Sequence, residues 1–141
     1  MAGKHYSAIA VCLTAIVLLS VTGCGKVSDI DLLQGTWTGT EPGGGPGEWT
    51  MIISGNTINT KSPGGRDYTG ILKLNPDVDP KQTDHVIEKS ASEQYVGKVA
   101  LGIYKIEGDK LTMALNEPDS TLRPTQFERG NGTRLFVMTK Q

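Results

Sequence analysis

LGIYKIEGDKLTMAL, residues 101–115, decides the fold class. Before Gly108-Asp109, Tyr104 and Ile106 fall on one side of an extended chain. After it, Leu111, Met113 and Leu115 do the same. Alternation on both flanks of a two-residue Gly-Asp link is a β-hairpin signature, because such tight turns need positive φ, which glycine adopts without steric cost. A helix would need apolar spacings of three and four, and it would tolerate Gly108 poorly.

The same grammar extends in both directions. Trp49, Met51 and Ile53 alternate, and Gly55-Asn56 turns the chain into Ile58. Tyr68, Gly70, Leu72 and Leu74 form another period-two run. Val86 to Lys89 reads as a weaker strand, with His85 at its solvent-exposed start. Phe127 lies in a short run ending at Arg129, Gly130-Asn131-Gly132 turns it, and Leu135 to Met138 closes the chain. Asp31 to Gln34 forms one helical turn or leads straight into the first strand. The expected fold is all-β, an antiparallel meander of about eight strands closing into a barrel, since closure removes the unpaired edges that invite aggregation. A two-sheet β-sandwich is the alternative. Two longer loops interrupt the meander: Glu41 to Glu48, glycine-rich and flexible, and Asn75 to Pro80, stiffened by its prolines.

The amino-terminal segment follows other rules. Lys4 precedes an apolar stretch from Ala8 to Val21, and Thr22 and Gly23 are small, which is the order of a secretory signal. The apolar run is shorter than the roughly 20 residues of a membrane-spanning helix. Val21-Thr22-Gly23-Cys24 resembles the bacterial lipobox, whose cysteine thiol receives a diacylglycerol before cleavage. Cys12, the only other cysteine, lies inside the segment that would be removed, so a disulfide is not expected. Each buried methylene of an acyl chain contributes about 0.8 kcal/mol, and two or three chains hold firmly where one does not. The expected organisation is a lipoprotein signal over 1–23, a tether over 24–31 beginning at the lipidated Cys24, and a β domain over 32–141. Gly25 rather than aspartate after Cys24, by resemblance to two-membrane bacteria, points to the periplasmic side of the outer membrane. With Lys4 set aside, 13 basic residues face 15 acidic ones and no basic stripe is present, which argues against a nucleic-acid partner.

Leu33-Gln34-Gly35-Thr36-Trp37 resembles the opening of a lipocalin-like domain family of unknown function found in planctomycete-type bacteria. Asp79-Pro80-Lys81, Leu101-Gly102-Ile103-Tyr104 with Gly108-Asp109-Lys110-Leu111, and Arg123-Pro124-Thr125 with Phe127 follow in the order of that family, covering residues 32 to 139. The resemblance implies a small antiparallel barrel. Gly35-Thr36-Trp37 also matches the lipocalin Gly-x-Trp pattern. There the tryptophan plugs the closed end, often under an arginine from the last strand; Trp37 takes the plug position and Arg134 is the candidate partner. The family brings no established activity, and function does not follow from fold.

Catalytic chemistry finds little material. A nucleophile needs a base beside it, and His85 is the only histidine after Cys24. Asp84 would have to orient it, yet neighbouring strand residues point to opposite faces. A hydrolase using Asp84, His85 or Glu88 is the weakest of the functional readings. Zinc lacks ligands, Asp77, Asp79 and Asp84 lack the spacing of an EF-hand loop, and the glycines from 43 to 47 lack the ending of a phosphate-binding loop. No metal or cofactor is expected. Trp49, Tyr68 and Tyr104 either fill the core or line a pocket for an apolar or planar ligand. The expected role is a lipid-anchored extracytoplasmic domain that binds a small apolar molecule or serves an envelope protein. The alternative is an interaction module presenting its loops to an envelope partner.

Overall fold

A computed structural model describes residues 25–141. The expected signal over 1–23 and the lipidated Cys24 lie outside the described residues. The chain begins with a short helix, α1 (Asp29–Leu33), capped by the Ser28 side chain. Eight strands follow: β1 (Gly35–Thr40), β2 (Trp49–Ser54), β3 (Thr57–Lys61), β4 (Asp67–Asn75), β5 (Gln82–Ser90), β6 (Val99–Glu107), β7 (Lys110–Asn116) and β8 (Thr133–Lys140). Each pairs antiparallel with the next, and β8 returns to β1, so the sheet is a closed barrel rather than a sandwich.

Local chemistry explains the tight turns. Gly55 and Gly108 take φ of 59° and 61° in the two-residue links β2–β3 and β6–β7, the glycine-first pattern of type II′ hairpins. The closing seam pairs Trp37 with Lys140 and Gly39 with Met138. A Cβ on Gly39 would stand 2.0 Å from the Val137 carbonyl oxygen, so only glycine lets β1 approach β8 this closely.

The two tight turns, the β4–β5 link over 76–81 and α1 gather at one end of the barrel, and the β1–β2, β3–β4, β5–β6 and β7–β8 loops gather at the other. At the α1 end the interior is solid. Trp37 is fully buried and donates its indole N–H to the Leu33 carbonyl at 2.8 Å. Met51, Ile53, Ile58, Leu72, Leu111, Met113 and Met138 fill the space around it. Lys140, not Arg134, stands over the Trp37 ring, 5.3 Å from its centroid. The expected Trp37–Arg134 pairing is therefore corrected: Arg134 is the second residue of β8, a full strand length away, at the opposite end.

Two other expectations change. The run around Phe127 is not a strand. Residues 117–132 form a strap across the outer face of β5, β6 and β7. Arg123 donates to the Thr83 and Gly102 carbonyls at 2.9 and 2.7 Å and to Asp84 at 2.6 Å, and Lys105 lies 5.4 Å from the Phe127 ring centroid. The strap explains why outward-facing Ile103 and Ala114 are fully buried, and why β7 is buried on both faces below its first residue. The second change is β5, which starts at Gln82 rather than Val86, placing His85 mid-strand.

Candidate functional site

Period two along each strand determines what faces inward at the loop-rich end. On β8 the inward series is Arg134, Phe136, Met138; on β5 it is Thr83, His85, Ile87; on β2 it starts at Trp49. Of these, Trp49, His85, Ile87, Arg134 and Phe136, with Tyr68 of β4 and Leu115 of β7, enclose a cavity of about 480 Å³ that opens between the loops. Its walls are mainly aromatic and aliphatic. Trp49 and Phe136 meet edge to face, with ring centroids 5.2 Å apart, an arrangement favoured by the ring quadrupoles.

One ion-pair cluster frames the mouth. Glu41, one residue past β1, is 7% exposed. Its carboxylate accepts from Arg134 Nε at 2.9 Å and Nη2 at 2.6 Å, and from Arg129 Nη1 at 2.5 Å. The Arg134 hydrogen bonds, opposed by burial and reinforced by Arg129, hold the Glu41 carboxyl below its ordinary range. The same bonds raise Arg134. The Arg134 guanidinium also lies 4.8 Å from the Trp49 ring centroid and 5.0 Å from that of Phe136. Such a cation over two desolvated rings is attracted by both. Glu41 thus ties the root of the β1–β2 loop to β8 and to the strap. A second, polar groove adjoins the rim and shares Glu41 and Arg134. Arg66, in the β3–β4 turn, borders both spaces.

His85 lies in the cavity wall, 3% exposed. The expectation of an exposed edge histidine is corrected: His85 is drawn inside by the Thr83–His85–Ile87 alternation and faces Ala100 across the sheet. Burial pushes its imidazole down to about 4, against a smaller upward pull from Asp84, so the ring is neutral at physiological pH. Its Nε2 has no hydrogen-bond partner among the described residues. Asp84 points outward to Arg123 and does not orient His85.

The three aromatic residues singled out in the sequence separate. Trp49 and Tyr68 line the cavity. Tyr104 does not: it is buried near the α1 end, and its hydroxyl donates to Asp29 at 2.7 Å, beside the Lys81–Asp29 ion pair. Burial and the Asp29 carboxylate push the Tyr104 hydroxyl well above its ordinary value. Glu41 and Phe136 were not expected at a site, Arg134 was expected over Trp37, and His85 was considered only as a catalytic base beside Asp84. Their only signal was positional, since each continues an inward series begun by an obvious core residue. Among the described residues no three His, Cys, Asp or Glu side chains converge as metal ligands. The arrangement suits enclosure of an apolar body beside the neutral imidazole of His85. No protein-family model matches the chain, and neither a curated protein nor a solved structure is significantly similar to it.

Proposed function

We propose that this chain is a lipid-anchored, extracytoplasmic, lipocalin-like binding domain that holds a small, largely apolar molecule in the loop-rich end of its barrel. The observation that carries the reading is the cavity of about 480 Å³ walled by Trp49, Tyr68 and Phe136. Its volume falls within the roughly 300–1,000 Å³ of small-molecule sites, and its few polar groups among apolar walls are their usual chemistry. The lipobox-like order ending at Cys24 supports the anchor and the envelope address. The ordered motifs from Leu33 to Phe127 support the lipocalin-like assignment. Binding is favoured over catalysis because Asp84 and His85 occupy opposite faces of β5 and Asp84 is held by Arg123.

Native mass spectrometry of the protein released gently from its own membranes tests the reading. A retained molecule of discrete mass, recovered chemically unaltered, is expected, together with acyl chains on the peptide that begins at Cys24. A chain that never carries a small molecule, from any growth condition, overturns the carrier role. An uncleaved, unacylated amino terminus overturns the anchor.

One observation favours the interaction reading as a second role. Leu122 is 71% exposed on the strap and Val96 is 46% exposed on the β5–β6 loop. The Lys98–Asp119 ion pair, at 2.8 Å, ties these two segments together. Cross-linking in intact cells through a photoreactive residue at position 122 is expected to capture an envelope protein if this surface is used. A monomer band alone rules the role out.

A further inference from the structure

The cavity also carries information about what enters it, and this step rests on the binding role proposed above. Three observations bear on the ligand. First, the buried carboxylate at the mouth is already engaged. Glu41 is engaged by Arg134 and Arg129, and the other ionised rim groups, Arg66, Asp67 and Glu117, are exposed to solvent. Among the described residues, Glu41 is the one buried carboxylate lining the cavity, and it is committed. An ionised ligand group seated beside His85 would lose its hydration without gaining a counter-ion. Second, the inward face of β5 is polar where its neighbours are apolar. His85, in the cavity wall, has an Nε2 without a hydrogen-bond partner among the described residues. Buried polar atoms are normally satisfied, and each exception calls for an explanation. A neutral imidazole offers one donor and one acceptor. Third, the wall opposite is built of flat rings, with Trp49 and Phe136 at right angles, a shape that receives another ring edge-on or stacked.

We infer that the ligand is an uncharged molecule with a ring-containing apolar body, held between Trp49, Phe136 and Ile87, and a single hydroxyl or N–H group that meets the imidazole of His85. Charged ligands are disfavoured at depth: Arg134 and Glu41 already engage each other, and the charges of Arg66, Asp67 and Glu117 stand in solvent, where they are screened and cannot replace the hydration lost beside His85. Discrimination comes from the buried nitrogen, because a ligand lacking the polar group leaves it unpaired.

Three compounds of one shape make the test: 4-cyclohexylphenol, cyclohexylbenzene and 4-cyclohexylbenzoate. The full-length lipidated chain is placed in nanodiscs, and tryptophan emission is followed on titration against empty nanodiscs. Trp49 in the cavity wall is the reporter, and Trp37 at the sealed end is the insensitive reference. The phenol is expected to bind on the order of tenfold more tightly than the hydrocarbon, and the benzoate more weakly than either. His85→Phe should keep binding the hydrocarbon and lose the tenfold preference. His85→Gln, which retains a donor and an acceptor, should restore part of it. Equal affinities for phenol and hydrocarbon, a preference that survives His85→Phe, or a benzoate that binds most tightly each overturns the inference while leaving the binding role intact. If none of the three binds, the inferred ligand class is overturned, and the native mass spectrum alone decides whether the binding role stands.

Discussion

Trp37 and Trp49 sit on neighbouring strands, and both carry a cation over the ring: Lys140 at 5.3 Å for one, Arg134 at 4.8 Å for the other. Their surroundings differ. Trp37 is wedged beneath α1 with its N–H committed to Leu33, and aliphatic side chains meet it on all sides. Trp49 packs against Phe136 on one side and borders open volume on the other. The polar groups divide less cleanly: Asp29 at the Trp37 end is satisfied by Lys81 and Tyr104, while Thr83 Oγ1 at the start of β5 and His85 Nε2 in the cavity wall are both unpaired. One end of the barrel is built for stability. The other gives up packing, and sites that bind typically give up stability in this way.

Several changes would break or sharpen that contrast. The largest effect belongs to Trp37→Ala, which should cost about 3–5 kcal/mol by urea denaturation. Trp49→Ala should cost less than this, because part of its surface already faces a void, and it should abolish ligand retention. Equal losses at the two positions would erase the distinction between the ends.

Next comes pH. His85 is neutral and buried, with its folded value lowered from 6.5 to about 4. Above pH 6.5 both folded and unfolded chains hold it neutral and its contribution is complete. As pH falls toward 4 the unfolded chain takes up a proton that the folded chain refuses, so stability drains by on the order of 3 kcal/mol. Glu41 and Asp29 also have lowered values. For Asp29, burial works upward but is outweighed by the Lys81 and Tyr104 hydrogen bonds. Their losses begin only below their ordinary 4.5 and 3.8. Denaturation midpoints between pH 6.5 and 4.5 thus isolate the histidine, and His85→Phe should flatten that interval. A wild-type profile already flat there would mean that His85 is solvated.

Smaller effects follow. Glu41→Gln should cost about 1–2 kcal/mol, less than a fully buried pair because both arginines are partly in water. It should also speed ligand release by freeing the loop root from β8, as dissociation kinetics would reveal. Tyr104→Phe should be the mildest, about 1 kcal/mol, with ligand affinity unchanged. Any change in affinity would couple the sealed end to the cavity and refute their independence.

How far the residues disclosed this arrangement depends on which residues they are. The β6–β7 hairpin was plain because its turn needs glycine and its flanks alternate without interruption. The β2–β3 hairpin was plain for the same reason, whereas Trp37 was placed by the likeness of Gly35-Thr36-Trp37 to the lipocalin pattern and not by any period. The strap was not, since Arg123 and Phe127 hold the outer face through long-range contacts that follow no period. Without the strap in view, the two-faced burial of β7 had no visible cause. The site was harder still. His85 and Arg134 are polar, and polar residues on a strand are read as facing water unless the layer they belong to is known. A cavity is a shortage of side-chain volume across several strands at one height. No single segment carries that shortage. Trp49 and Tyr68 therefore stood with Tyr104 as equivalent aromatics, although one of the three lies at the other end.

The position of α1 has a consequence for access. Asp29 is fastened to the sealed end through Lys81 and Tyr104, and five residues span at most about 18 Å of chain. Anything attached at Cys24 would thereby be leashed to the sealed end, and the loops open in the opposite direction. Should fatty tails at that residue moor the protein, the barrel would stand on the bilayer like an upright cup. Its cargo would then arrive from the aqueous space above it rather than by sideways transfer out of the lipid.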